Sequence, residues 1–339
     1  MRKYLLPHGV NSYKANLHCH TTVSDGCLTP EQIKKAYMDR GYSIVAYTDH
    51  DLMIPHHDLT DERFLALTGY EIEINQQLPE GADRASRKTC HICLIALDPT
   101  TERQVCWHRS KYLFRGALAL RDKANFDPTL PDYEREYSHA GVNDVIKKAR
   151  EGGFFVTYNH PAWSLESAEN WLGYEGMNAM EICNFASIDE GCPDFVPYIY
   201  DEMLRAGKRI FCIGADDNHN TTERWEHDSF GAFTVIRADR LDYRTVTAAM
   251  ERGDMYASQG PTIHDLFVED GKVHITCSDA AGITIAYNNR HNRAVWAPEL
   301  VSLTEACFTL PERYEFFRLS VHDAHGRTAN TRAYFADEI

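Results

Sequence analysis

Up to residue 258, short apolar runs alternate with amphipathic stretches. The runs Lys14–His20, Ser43–Tyr47, Phe64–Thr68, Thr89–Leu97, Phe154–Tyr158, Ala179–Cys183, Arg209–Gly214 and Phe230–Arg237 predict strands. Each is short, rich in β-branched and aromatic residues, and bounded by turn residues. Between them, Glu31–Arg40, Gly141–Glu151, Phe195–Ala206 and Tyr243–Arg252 space their apolar residues as helices do. The first has clear ends, with Thr29 as N-cap, Pro30 at the first helical position and Gly41 just past the stop. Strand alternating with helix implies a mostly parallel sheet with right-handed crossovers. About seven such units over roughly 250 residues suit an α/β barrel. The stretch 98–137 keeps neither period. It reads as an insertion, at about 98–140, with short helices of its own.

After Ser258 the pattern changes. Lys272–Cys277, Ile283–Asn288, Phe316–His322 and Thr331–Phe335 read as strands separated by turn signals such as Asp270-Gly271 and His325-Gly326. This predicts a barrel unit at 1–258 and a small antiparallel, sandwich-like β domain at 259–339. The boundary falls at Gln259-Gly260-Pro261.

Composition adds limits. The chain has 339 residues, 43% hydrophobic and 25% charged, which is ordinary for a globular protein. No apolar stretch reaches the length of a membrane span. The N-terminus carries two basic residues but no apolar run after them, so no signal peptide is expected. Ten cysteines lie scattered rather than spaced as a framework, so reduced thiols and a cytoplasmic location are expected. A net charge of −15 disfavours stable nucleic-acid binding. A small anionic substrate stays compatible, because bound cations reverse a local field. A homo-oligomer is left open.

The candidate chemistry sits where the strands stop. His18 and His20, two apart, would leave the first strand on one face and make half of a metal site, with Asp25 in the following turn. Read alone, they are equally a polar strand end. But His50 follows the second strand, Glu71 the third, His160 the fifth, and Asp217 with His219 the seventh, while His91 lies within the fourth. In a barrel these ends share one rim. Nitrogen and carboxylate ligands without thiolate suit Zn, Mn or Fe. So many ligands need two to three divalent ions, with a carboxylate such as Glu71 bridging. Such a cluster makes a nucleophile of bound water and clamps the oxygens of an in-line displacement.

The motifs HCHTTVSDG at His18–Gly26, TDHD at Thr48–Asp51, GYE at Gly69–Glu71, the strand histidine His91, NHP at Asn159–Pro161 and DNH at Asp217–His219 together resemble the PHP (polymerase and histidinol phosphatase) family. The resemblance covers about Asn16 to Gln259. It implies a distorted (β/α)7 TIM-like barrel and a trinuclear site. One ion would take His18, His20, Glu71 and Asp217; a second Glu71, His91 and His160; a third Asp25, His50 and His219. Asp217 is preferred to its neighbour Asp216 because the family pattern is Asp-x-His. The implied activity is hydrolysis of a small phosphomonoester, such as a nucleotide or sugar phosphate, by metal-activated water. Asp25 or His219 would assist the leaving group. Arg109, Lys111 and Arg115 in the insertion are candidates to hold the substrate phosphate, although a solvated helix face explains them as well. Asn184, ending the sixth strand, is a further substrate-binding candidate. The alternatives are exonuclease-type phosphodiester cleavage, amidohydrolase-like C–N hydrolysis, and a non-catalytic module with a structural metal site.

Overall fold

The computed structural model describes residues 2–221, 226–299 and 301–339. The strands are β1 (Lys3–Tyr4), β2 (Asn11–Asn16), β3 (Ile44–Tyr47), β4 (Leu65–Asn75), β5 (Thr89–Ala96), β6 (Phe154–Tyr158), β7 (Ala179–Asn184), β8 (Phe211–Ala215), β9 (Phe233–Ala238) and β10 (Met255–Ser258). They are followed by β11 (Ile263–Glu269), β12 (Lys272–Ala280), β13 (Gly282–Tyr287), β14 (Arg293–Trp296), β15 (Leu303–Thr309), β16 (Phe316–His322), β17 (Thr328–Thr331) and β18 (Tyr334–Phe335). The α-helices are α1 (Pro30–Asp39), α2 (Gly116–Ala119), α3 (His139–Glu151), α4 (Ala168–Gly173), α5 (Phe185–Asp189), α6 (Pro197–Arg205) and α7 (Tyr243–Arg252).

One large mixed sheet runs in the order β14-β13-β16-β17-β10-β9-β2-β3-β4-β5-β6-β7-β8. The expected mostly parallel sheet is corrected here. β2/β3, β3/β4, β6/β7 and β7/β8 pair in parallel, but β4/β5, β5/β6, β2/β9 and β9/β10 are antiparallel. A parallel neighbour needs a long crossover. Between β4 and β5 lies only a loop with a short 3-10 turn at Arg84–Ser86, so β5 turns back on β4. The ends of β2 and β8 meet at a single parallel bridge between Cys19 and Asn218.

Side-chain parity explains how this sheet makes a site. Alternate positions share a face. On one face Leu67, Ile95, Phe155, Ala179 and Ile213 pack together as a dry layer. Two and four residues further along the same face, β4 continues Gly69 and Glu71, β6 Thr157 and Asn159, and β8 Ala215 and Asp217. β7 continues from Ala179 to Glu181. This face of the sheet is therefore apolar at one end and polar at the other. β5 runs the other way, so its polar residue comes first in sequence: His91 precedes Cys93 and Ile95. The opposite face carries Ile72, Ile92, Leu94 and Val156, which pack under Val142, Val145, Ile146 and Ala149 of α3.

The tail is antiparallel throughout, and β1, β11, β12 and β15 form a second, four-stranded sheet. β17 pairs with β10, so backbone hydrogen bonds cross the expected boundary near residue 259. The tail's strand at Thr331–Phe335 is split into β17 and β18. Among the described residues no helix is long and apolar enough to cross a membrane.

Candidate metal centre

The loop from His18 to Gly26 is held by buried Asp49. Its carboxylate accepts from the backbone N–H groups of Thr21 (2.8 Å) and Ser24 (3.0 Å) and from both hydroxyls (2.8 and 2.7 Å). Gly26 closes the turn. A Cβ there would stand 2.6 Å from the His20 carbonyl, so only glycine fits. These contacts hold Asp25 over the histidines, with Oδ1 3.6 Å from His20 Nδ1, 3.5 Å from His219 Nε2 and 4.0 Å from His50 Nε2.

Glu71 stands at the centre. Its carboxylate oxygens lie 3.2 Å from His18, 3.4 Å from His20, 3.1 Å from His50, 3.1 Å from His91 and 3.5 Å from His160. Asp217 meets His18 at 3.1 Å, His20 at 3.0 Å and His160 at 3.6 Å. The structure thus brings together His18, His20, Asp25, His50, Glu71, His91, His160, Asp217 and His219. Among the described residues four groups have ligand atoms within 4.8 Å of one another: His18, His20 and Asp217; His50, Glu71 and His91; His20, Asp25, His50 and His219; and His18, Glu71 and Cys93.

The donor set fits divalent ions. His20 Nδ1, His50 Nδ1, Glu71 Oε2, His91 Nε2 and Asp217 Oδ1 are buried without a hydrogen-bond partner. Buried polar atoms are nearly always satisfied, and leaving one unmade costs about 1–3 kcal/mol. Five such atoms in one cluster call for a cation. Electrostatics agree. Burial opposes charge on Glu71 and Asp217, yet the surrounding histidines hold both carboxyls well below the usual range. Burial likewise opposes the His18, His20 and His160 cations. The carboxylates outweigh it and raise all three, His160 to about 9. Without metal, protons take the place that cations would fill.

Several residues of the site escape a motif search. Glu181, the one acid in the strand sequence AMEICN, accepts from His18 Nδ1 at 2.7 Å and from the His160 N–H at 3.0 Å. It fixes His18 so that Nε2 faces the cluster, as carboxylates behind metal-binding histidines do. A lone acid in an apolar strand was the available signal. Cys93, read from sequence as a plain strand residue, has its sulfur within the same reach of His18 and Glu71. Asn159 donates to it at 3.0 Å and to Glu71 at 3.1 Å.

The cluster floors a cavity of about 340 Å³ whose wall includes Phe114, Arg115, Trp163 and Glu190. Phe114 lies 5.2 Å from the His50 ring, and Trp163 stands edge-on to His91 and His160 at 5.4 and 5.1 Å. Of the three insertion cations, only Arg115 lines this cavity, 4.0 Å from Asp25. Arg109 is paired with Asp132 at 2.7 Å and Lys111 with Glu134 at 2.6 Å, both outside the lining. Asn184 is fully buried. Its amide donates to Glu181 (2.9 Å) and Asp217 (3.1 Å), and its oxygen caps α5 at Ser187. It holds the acids rather than facing the cavity. Asp216 turns away from the cluster and accepts from the Phe230, Gly231 and Ala232 N–H groups.

The insertion is locked to the ligand loop. The Gly116 N–H donates to the Ser24 carbonyl at 2.8 Å, and a Cβ at Gly116 would lie 2.5 Å from the Thr22 carbonyl. Val23 of the loop and Leu52 pack with Trp107, Leu113 and Ala117 of the insertion. This close seating presents Phe114 and Arg115 to the cavity.

No family model matches the chain. A 5'-3' exoribonuclease of Haemophilus influenzae is 21% identical over 252 residues, spanning 72% of this chain and 84% of that protein. A solved two-domain protein of Bacteroides vulgatus, described as containing a predicted PHP-like metal-dependent phosphoesterase, is 15% identical with a TM-score of 0.46, covering 99% of this chain and 91% of that one. An amidohydrolase of Chromobacterium violaceum, solved with sulfate and no metal, is 16% identical with a TM-score of 0.39, covering 60% of this chain and 87% of that one. Both TM-scores lie below 0.5, so the functional reading below rests on the side chains. The family whose motifs the sequence resembles, the PHP metal-dependent phosphoesterases, is the one in the description of the Bacteroides protein.

Proposed function

We infer that the chain is a PHP-family metal-dependent phosphoesterase that hydrolyses a small phosphomonoester in the cytoplasm. One observation carries this reading: nine His, Asp and Glu side chains converge from the strand ends, with five buried ligand atoms left without a hydrogen bond. The same reading takes β2–β8 as the distorted barrel, supported by the Cys19–Asn218 bridge, and two to three divalent ions, Zn, Mn or Fe, as the cofactor. His18, His20, Glu71 and Asp217 would hold one ion, Glu71, His91 and His160 another, and Asp25, His50 and His219 a third.

Bound divalent ions supply an activated water and neutralise charge on the phosphoryl oxygens. The chain's own part is positioning. Glu181 and Asp49 fix the ligands, and Arg115 offers its guanidinium to the phosphate from the cavity wall. Phe114 and Trp163 limit water around the leaving group. Asp25 and His219, the half-buried pair nearest the opening, are placed to pass a proton to the leaving oxygen.

The test is phosphate release from nucleotides, sugar phosphates, histidinol phosphate and short oligonucleotides with Mn²⁺. Release from none of them, or full activity in His20→Ala, would overturn the reading. A second reading, stepwise 5'-to-3' cleavage of RNA, is favoured by the description of the Haemophilus relative. Mononucleotides accumulating from an RNA oligonucleotide faster than phosphate from any monoester would select it.

A further inference from the structure

We propose that Arg135, at the end of the insertion, is a positioning residue of the metal centre. The inference rests on the reading that His50 and Glu71 hold metal. Arg135 is buried, with its side chain 5% exposed. A guanidinium in that position is costly unless paired, and the pairing here is partial, since Arg135 Nε and Asp51 Oδ2 are buried without a hydrogen-bond partner. It pairs with the Asp51 carboxylate, itself 2% exposed, through one short contact. Its Nη1 donates to the Glu73 carbonyl at 2.8 Å, and its plane lies 4.0 Å from the Tyr112 ring centroid.

The two partners mark the two segments that carry the central ligands. Asp51 follows His50 directly. It takes a left-handed backbone, φ 59°, which a non-glycine residue adopts only at a cost. That turn lets the Asp51 N–H donate to the Glu71 carbonyl at 2.8 Å and the Asp51 carbonyl accept from Gln104 at 2.9 Å. Glu73 stands two residues beyond Glu71 on the same strand face. His50 and Glu71 themselves pair through an isolated bridge. One buried cation from the insertion therefore ties the His50 turn to the Glu71 strand and holds the left-handed residue in place. The insertion is not only the wall of the cavity; it is part of what fixes the ligands.

The experiment uses the full chain, stripped of metal and titrated with Mn²⁺ by calorimetry, with metal per chain counted by elemental analysis. The forms compared are wild type, Arg135→Ala, Arg135→Lys, Asp51→Asn and Arg318→Ala. Arg318, whose side chain is buried, pairs with the partly buried Asp201 at 2.6 Å outside the cavity, so its loss controls for general destabilisation. Loss of Arg135 should weaken the ions bound by His50 and Glu71 by about tenfold or more, the usual effect of removing a residue behind a metal ligand. Asp51→Asn should match it, since asparagine tolerates the left-handed turn. Arg135→Lys should fall between, because a point charge cannot reach both partners as the guanidinium fork does. Arg318→Ala should lower the unfolding temperature and leave the isotherm unchanged.

A wild-type isotherm in Arg135→Ala overturns the proposal, whatever its stability or activity. So does an equal loss of metal in Arg318→Ala. Should Arg135→Ala fail to fold, a wild-type isotherm in Asp51→Asn overturns it instead. A wild-type chain that takes up no metal overturns the underlying metal reading, and this inference with it.

Discussion

Glu181→Gln is the sharpest perturbation of the centre, because it changes almost no volume. In the native chain one carboxylate oxygen accepts from His18 Nδ1 at 2.7 Å, while the other accepts from the His160 N–H at 3.0 Å and the Asn184 amide at 2.9 Å. All three partners donate. Glutamine has one oxygen and one NH2, so either orientation sets a donor against a donor. If its oxygen serves His18, the NH2 faces the His160 N–H and Asn184. If its NH2 serves His18, that imidazole must carry its proton on Nε2, which faces Glu71 and Asp217, and is lost as a ligand. A buried donor left unmet costs about 1–3 kcal/mol. Outer partners of metal ligands are usually worth about 10–100-fold in affinity or activity, which is about 1.4–2.7 kcal/mol. The two estimates agree. We expect Glu181→Gln to lower metal affinity or kcat/KM about 10–100-fold, with far-ultraviolet circular dichroism unchanged. Competition titration against a chromogenic chelator reads the affinity. A variant within twofold of wild type would refute the claim that Glu181 sets the His18 tautomer.

Gly116→Ala should drive a methyl into the Thr22 and Ser24 carbonyls and cost about 1–3 kcal/mol; an unchanged urea midpoint would contradict the close seating of the insertion. Arg115→Ala should raise KM about tenfold while shifting stability by less than about 0.5 kcal/mol, since that side chain is 65% exposed. Lys111→Ala, whose partner is Glu134, should leave KM alone. The stripped protein should lose stability as pH rises. His18, His20 and His160 have raised pKa values, so their contribution is complete below the ordinary histidine range and lost as pH climbs through about 9 for His160. The metal-loaded protein should not follow, because metal binding requires those protons to leave. Unfolding temperatures with chelator that do not fall between about pH 7 and about pH 10 would contradict this.

The strand-end histidines were legible because their motifs are local, and the two-residue period of a strand fixes which neighbours share a face. Strand direction was not. His91 looked misplaced within its strand until β5 proved antiparallel, which brings the start of that strand to the polar end of the sheet face. Two of the three insertion cations lie outside the cavity for a related reason. Arg109 and Lys111 are each paired with an acid 23 residues later, and no local pattern records such a pairing. Among the tail strands, β15 shows one fully buried side chain, Phe308, in seven residues, so it carries almost no apolar signal. β11 begins Ile-His-Asp, and its alternation emerges only from Leu266 onward. Glu181 and Asp49 were visible as acids but not as the supports they are, because burial is a property of the fold.

The short strand β1 has a consequence for the order of folding. Lys3 and Tyr4 pair with Val268 and Phe267, the Leu5 N–H donates to the Leu266 carbonyl at 2.9 Å, and Arg2 reaches Glu269, 267 residues away. During synthesis residues 3–6 precede their partners at 266–268, which appear only after all the strands that carry the candidate site. Leu5 and Leu6, buried in the finished protein, must wait exposed until then. Closing so long a loop slows assembly more than it weakens the product. The pairing of β1 with β11 is therefore expected to come late, after the strands that carry the candidate ligands are in place.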